Sequence, residues 1–100
     1  MINLLEETVA ILSRHDKETT DVLYVTDGEV YSVWPSFKGW AAATDYDAGY
    51  GGAVVNQNLK VVGEGWWLER GEYDGSEWWV FKTMPKQPTL VGRVEVREVR

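Results

Sequence analysis

The chain has no cysteine, so it has no disulfide, no thiolate nucleophile and no cysteine-based metal site. Histidine is nearly absent as well. His15, the only one, is followed by Asp16 and Lys17, which suits a solvent-exposed helix end better than a catalytic pair. No Ser–His or Cys–His system can be assembled, because Ser13, Ser32, Ser36 and Ser76 all fit turn, cap or strand positions. No apolar run approaches the ~20 residues of a membrane span. The opening Met1-Ile2-Asn3-Leu4-Leu5-Glu6-Glu7 lacks the basic start of a secretory signal, so a cytoplasmic protein is expected. Positive charge is scarce over most of the chain. Residues 1–80 hold 14 acidic and five basic side chains, a net −9, while residues 81–100 hold two acidic and five basic, a net +3. Direct binding to nucleic-acid phosphates and to a membrane is therefore not expected, and a protein partner with a basic surface is.

What the chain does have is tryptophan, six in 100 residues. Four fall in Trp66-Trp67-Leu68-Glu69-Arg70-Gly71-Glu72-Tyr73-Asp74-Gly75-Ser76-Glu77-Trp78-Trp79-Val80-Phe81-Lys82. Asp-Gly between apolar runs marks a β-hairpin, since both residues tolerate positive φ. A two-residue turn pairs Tyr73 with Ser76 and puts Trp66, Leu68, Trp79 and Phe81 on one face. A three-residue loop with a bulge groups Trp67, Trp79 and Phe81 instead. In both registers each face carries two tryptophans, because neighbouring strand residues point to opposite sides. One face is core. The other is covered by loops and chain ends, or it is a surface for a partner or for a homodimer.

Asn3 with Glu6 makes a capping-box pattern ahead of an amphipathic helix over 3–15, whose apolar stripe is Leu4, Leu5, Thr8, Val9, Ile11 and Leu12. Residues 22–33 read as a first hairpin around Asp27-Gly28, with Thr26 paired to Glu29 and Tyr24 opposite Tyr31. Trp34-Pro35 ends that strand, and Ser36 caps a short helix from Phe37 to about Thr44 with Phe37, Trp40, Ala41 and Thr44 on one face. A glycine-rich loop follows at 45–52. Leu59–Val62 is a short strand, and residues 90–99 alternate as a half-buried last strand with Leu90, Val94 and Val96 inward. The expected fold is a single α+β domain over 1–100: a mainly antiparallel sheet of about five to six strands, one N-terminal helix and one short second helix.

The remaining chemical motifs are weak. Asp45 and Asp47 near glycine suggest a calcium loop, but Gly49 stands where a third ligand belongs and Asn56 where the closing glutamate should be. Gly49-Tyr50-Gly51-Gly52 is neither a Walker loop nor a dinucleotide fingerprint. No metal or cofactor and no enzymatic activity are expected. The candidate contact residues are Tyr46, Asp47 and Tyr50 in the loop and Glu69, Glu72, Tyr73, Asp74 and Glu77 around the hairpin turn. Glu72 and Glu77 lie near each other in either register, a repulsion that marks a docking tip for a basic cleft unless Arg70 or Lys82 neutralises it.

Three segments together, Leu4 to His15, Asp45 to Gly52 and Trp66 to Lys82, resemble small uncharacterised proteins of prophages and integrative elements in Gram-positive gut bacteria. The resemblance implies a mobile-element setting and transfers no activity or functional residue. It makes the leading expectation a small acidic, non-enzymatic interaction protein that inhibits a host nucleic-acid-handling defence protein. The alternative is a small-ligand or carbohydrate-binding module using an exposed tryptophan face.

Overall fold

A computed structural model describes residues 1–47 and 52–98. Two short strands, β1 (Ile2–Asn3) and β4 (Asp45–Tyr46), pair antiparallel. The main sheet contains β2 (Val22–Thr26), β3 (Tyr31–Ser32), β5 (Lys60–Gly63), β6 (Trp66–Tyr73) and β7 (Ser76–Thr83) in the order β3-β2-β5-β6-β7, with every pairing antiparallel. Helices α1 (Leu4–Arg14) and α2 (Trp34–Ala42) touch one another and pack on one face of this sheet, against β7 and β2 respectively. The α+β class and the antiparallel sheet agree with the sequence.

Helix α1 starts as the cap residue dictates. The Asn3 side-chain oxygen accepts from the Glu6 backbone N–H at 3.1 Å, satisfying one of the helix's orphan donors. The same side chain donates to the Ala42 carbonyl at 3.0 Å and to Asp45 at 2.9 Å, which ties the start of α1 to the end of α2. Leu4, Thr8 and Leu12 are buried at three-to-four spacing. Val9, expected in the stripe, is exposed.

The second helix departs from its expected bounds. It begins at Trp34, with Pro35 in its first turn. Proline fits there because its missing N–H would have no helical partner. Phe37 and Ala41 are buried, while Trp40, expected beside them, is 62% exposed. The first hairpin turns more widely than Asp27-Gly28 suggests, because Thr26 pairs with Tyr31. The Asp27 carboxylate accepts from the Val30 and Glu29 N–H groups, which hold its carboxyl below the usual range. That side-chain turn absorbs two more residues. Tyr24 and Tyr31 become diagonal neighbours and still meet edge-on at 6.1 Å.

The second hairpin has the two-residue turn. Tyr73 pairs with Ser76, and Asp74 and Gly75 take φ of 50° and 83°. Cross-strand neighbours share a face, so the buried face carries Val25, Val61, Leu68 and Phe81 in one row, Trp66 in the next and Trp79 beyond. The Trp66 indole lies directly over Gly63, its cross-strand partner.

Of the strand expected over 90–99, the described residues, 90–98, form none. Residues 84–98 belong to no helix or strand, and Leu90, Val94 and Val96 are 90%, 76% and 89% exposed. Alternation supplies an apolar edge, but a strand also needs a neighbour to bond. Pro85 and Pro88 favour an extended connector before it, since each fixes its own φ and restricts the residue preceding it.

Candidate functional site

The register of the second hairpin sorts the candidate residues. On the helix-facing side, Arg70 lies opposite Trp79, and the Glu72–Glu77 pair follows. Arg70 and Glu77 are therefore diagonal neighbours on one face, within reach of one another. The Arg70 guanidinium donates to Glu77 Oε1 at 3.0 Å, to Glu7 Oε1 at 3.2 Å and to the Tyr46 hydroxyl at 3.1 Å. Its carbon lies 4.8 Å from the Trp79 ring centre and 5.6 Å from that of Tyr46. Burial alone would favour the neutral guanidine. Tyr46, Glu7 and Glu77 outweigh it and hold the charge more firmly than in water.

Glu77 is 3% exposed. Burial pushes its carboxyl up, but the backbone N–H groups of Val54 and Val55, at 2.6 and 3.0 Å, and the Arg70 guanidinium bring it below the ordinary range. Tyr46 is placed by the β1–β4 pairing, opposite Ile2, and donates to Glu7 at 2.7 Å. Burial, and then the bond to Glu7, push its phenol up to about 12. Beside this network, Trp79 donates to the Thr8 hydroxyl at 2.9 Å, and Thr8 donates to the Leu4 carbonyl.

This network removes two candidates from the contact surface. Glu77 and Tyr46 have their polar atoms consumed inside the molecule, where they fasten residues 46 and 54–55 to the sheet. The expected repulsion between Glu72 and Glu77 is relieved, because Arg70 neutralises Glu77 while Glu72 accepts from the Gly75 N–H at 3.3 Å. Asp47, Glu72, Tyr73 and Asp74 are exposed, and Glu69 is half-buried. Tyr50 lies outside the described residues.

The opposite face of the sheet is aromatic. One row runs Tyr24, Val62, Trp67 and Lys82; the next runs Tyr31, Thr26, Lys60, Glu69 and Val80; Gly71–Trp78 and Tyr73–Ser76 follow toward the turn. Trp78 is 41% exposed, and Tyr31 and Tyr73 more than 70%. A Cβ at Gly71 would come within 2.9 Å of both the Trp78 indole nitrogen and a Val80 methyl, so glycine lets these side chains close over the backbone of β6. Trp67 donates its indole N–H to Glu69 at 2.7 Å, which fixes the ring beside a carboxylate. Tyr24, Tyr31, Trp67 and Trp78 were absent from the candidates read from sequence. The Tyr24–Tyr31 pairing and the two Trp-Trp doublets were the signals that pointed to them.

His15 stacks on Phe81 at 4.0 Å between ring centres. Asp45, half of the calcium-like spacing, accepts from the Asn3 side chain, and among the described residues no group of three metal-ligating side chains gathers. A cleft of about 340 Å³, between the first hairpin and α2, is lined mainly by Val25, Val30, Phe37, Trp40 and Leu59. Among the described residues no helix is long and apolar enough to cross a membrane. No protein family, curated protein or solved structure matches this chain.

Proposed function

We propose that this protein is a non-enzymatic binding protein whose aromatic sheet face and acidic hairpin turn dock onto a basic protein surface. One observation carries the reading: Tyr31, Tyr73 and Trp78 stand exposed on the sheet face opposite both helices. Rigid aromatic rings on a sheet have little side-chain entropy to lose on binding, and tyrosine and tryptophan dominate interface energetics. Glu69, Glu72 and Asp74 lie toward the same end, where negative charge accelerates encounter with a positive partner. The resemblance to small prophage proteins makes the partner a host defence protein that handles nucleic acid, since such proteins expose basic clefts.

The test is capture from host lysate, comparing the parent chain with Tyr73→Ala and Trp78→Ala. The expected result is a partner retained by the parent, retained by the control Leu23→Ala, and lost by both face variants while their melting curves stay unchanged. Equal capture by all four would sink the proposal. Glu72→Gln should slow association and weaken its salt dependence.

A second reading, a carbohydrate-binding face, draws on the Trp67–Glu69 pair, a flat ring beside a carboxylate able to bond hydroxyls. Retardation on glycan matrices, abolished by Trp78→Ala, would favour it over the protein partner.

A further inference from the structure

We infer that residues 90–97 form an additional β-strand that pairs with β7 of a second copy of this chain, each copy lending its C-terminal segment to the other. Four observations converge on this exchange. The first is the open edge: β7 is the last strand of the sheet, and every second residue turns its N–H and C=O away from β6. An eight-residue edge with Trp78, Trp79, Val80 and Phe81 at its centre, paired by no further strand among the described residues, is a template for pairing. The second is the segment itself. Leu90, Val94 and Val96 alternate with Arg93, Glu95 and Arg97, a half-buried strand's pattern, yet all three apolar side chains stand in solvent. Eight residues, 90–97, match the eight of β7.

The third is the connector. Met84 donates its N–H to the Gly65 carbonyl at 2.9 Å, so the chain leaves the sheet at a held point. Pro85 and Pro88 then bias the path toward extended backbone, about 3.1 Å per residue in a polyproline-like run. This favours carrying the strand out over folding it back on its own β7. The longest dimension of the molecule, 51 Å against 32 and 27 Å, fits a segment directed outward. The fourth is charge: residues 90–97 hold Arg93, Arg97 and Glu95, a net +1, against a net −9 over residues 1–80, so the segment of one copy is attracted to the body of another.

Reciprocal exchange about a two-fold axis uses the same patch on both copies and closes both edges at once. In an antiparallel pairing, Leu90, Val94 and Val96 extend the helix-facing row beside Trp79 and Phe81, and Arg93 and Arg97 stay on the solvent side. The aromatic face remains free in the dimer, so this assembly is independent of the partner proposed above.

The test is the solution mass of the full chain at tens of micromolar by light scattering, with the parent compared to Val94→Pro. Proline removes a ladder donor, and Val94 is exposed in the single copy, so the variant should keep the parent's unfolding transition at high dilution. The expected result is twice the 11.4 kDa chain mass for the parent and a single-chain mass for Val94→Pro. Hydrogen exchange at Val94 and Val96 should slow about tenfold or more as the parent dimerises. A monomeric parent, or a Val94→Pro variant that remains dimeric, overturns the inference. So does protection of Val94 in a monomer, which would mean the strand pairs with its own β7.

Discussion

Arg70 and Glu77 have no exposed side-chain surface and lie 3.0 Å apart. A charged pair in that position is held by the cost of separating it, because either group left alone would be a buried, uncompensated ion. Arg70→Met leaves the buried Glu77 carboxylate without its counter-charge and should cost about 3–5 kcal/mol, measured by urea denaturation. Glu77→Gln keeps one acceptor for the Val54 and Val55 N–H groups and should cost about 1–3 kcal/mol. Glu72→Gln, on an exposed side chain, should fall within about 0.5 kcal/mol of the parent. Equal effects at Glu72 and Glu77 would contradict their different roles. The sequence offers both as one repulsive tip unless Arg70 or Lys82 neutralises it; it leaves that choice open because the Arg70 position relative to Glu77 is not visible until the turn is known. With Tyr73 opposite Ser76, the diagonal follows; with a bulged loop it does not.

Gly63 and Gly39 show how an element's surroundings decide what a glycine does. At Gly63, on β5, an added Cβ would fall within the Trp66 ring, so Gly63→Ala must displace a buried indole on the neighbouring strand. The expected cost is about 1–3 kcal/mol, the usual penalty of overpacking. At Gly39, inside α2, nothing lies within 4 Å of the Cβ position. Gly39→Ala should therefore stabilise by about 0.4–1 kcal/mol, by reducing the freedom of the unfolded chain. Thermal melts of the two variants should move in opposite directions, and a shared sign would refute this placement of the two glycines. At this scale the sequence was legible where a local signal met a local need. Asn3 starts α1 because its side chain reaches the Glu6 N–H. Asp74-Gly75 turns the second hairpin because both residues accept positive φ. It was less legible where a side chain changed the turn, as Asp27 does, and where proline began a helix rather than ending a strand.

The stability of the whole molecule should depend on pH from both sides. The Glu77 carboxyl sits below its unfolded value, so its contribution is complete above the ordinary carboxylate range, about 4.3, and drains away as pH falls through the depressed value. Tyr46 runs the other way. Its phenol is pushed up to about 12, so its contribution is complete below an unfolded value of about 10 and is lost as pH rises from there through about 12. Urea midpoints should be level between these limits and fall outside them. Glu77→Gln should flatten the acid limb and Tyr46→Phe the alkaline limb; unchanged limbs would mean that other groups control them. By itself, the sequence determined the α+β class, the N-terminal helix and the Trp-bearing hairpin, because caps, turns and hydrophobic periods act within a few residues. It also determined that each face of that hairpin carries two tryptophans, since strand side chains alternate. Only the tertiary structure decided which face the helices cover, that Tyr46 and Glu77 belong to the interior, and that residues 90–98 stand unpaired. Those outcomes depend on contacts between residues 24 to 63 positions apart, such as Arg70 with Tyr46 and Glu7, which form only when separate elements dock.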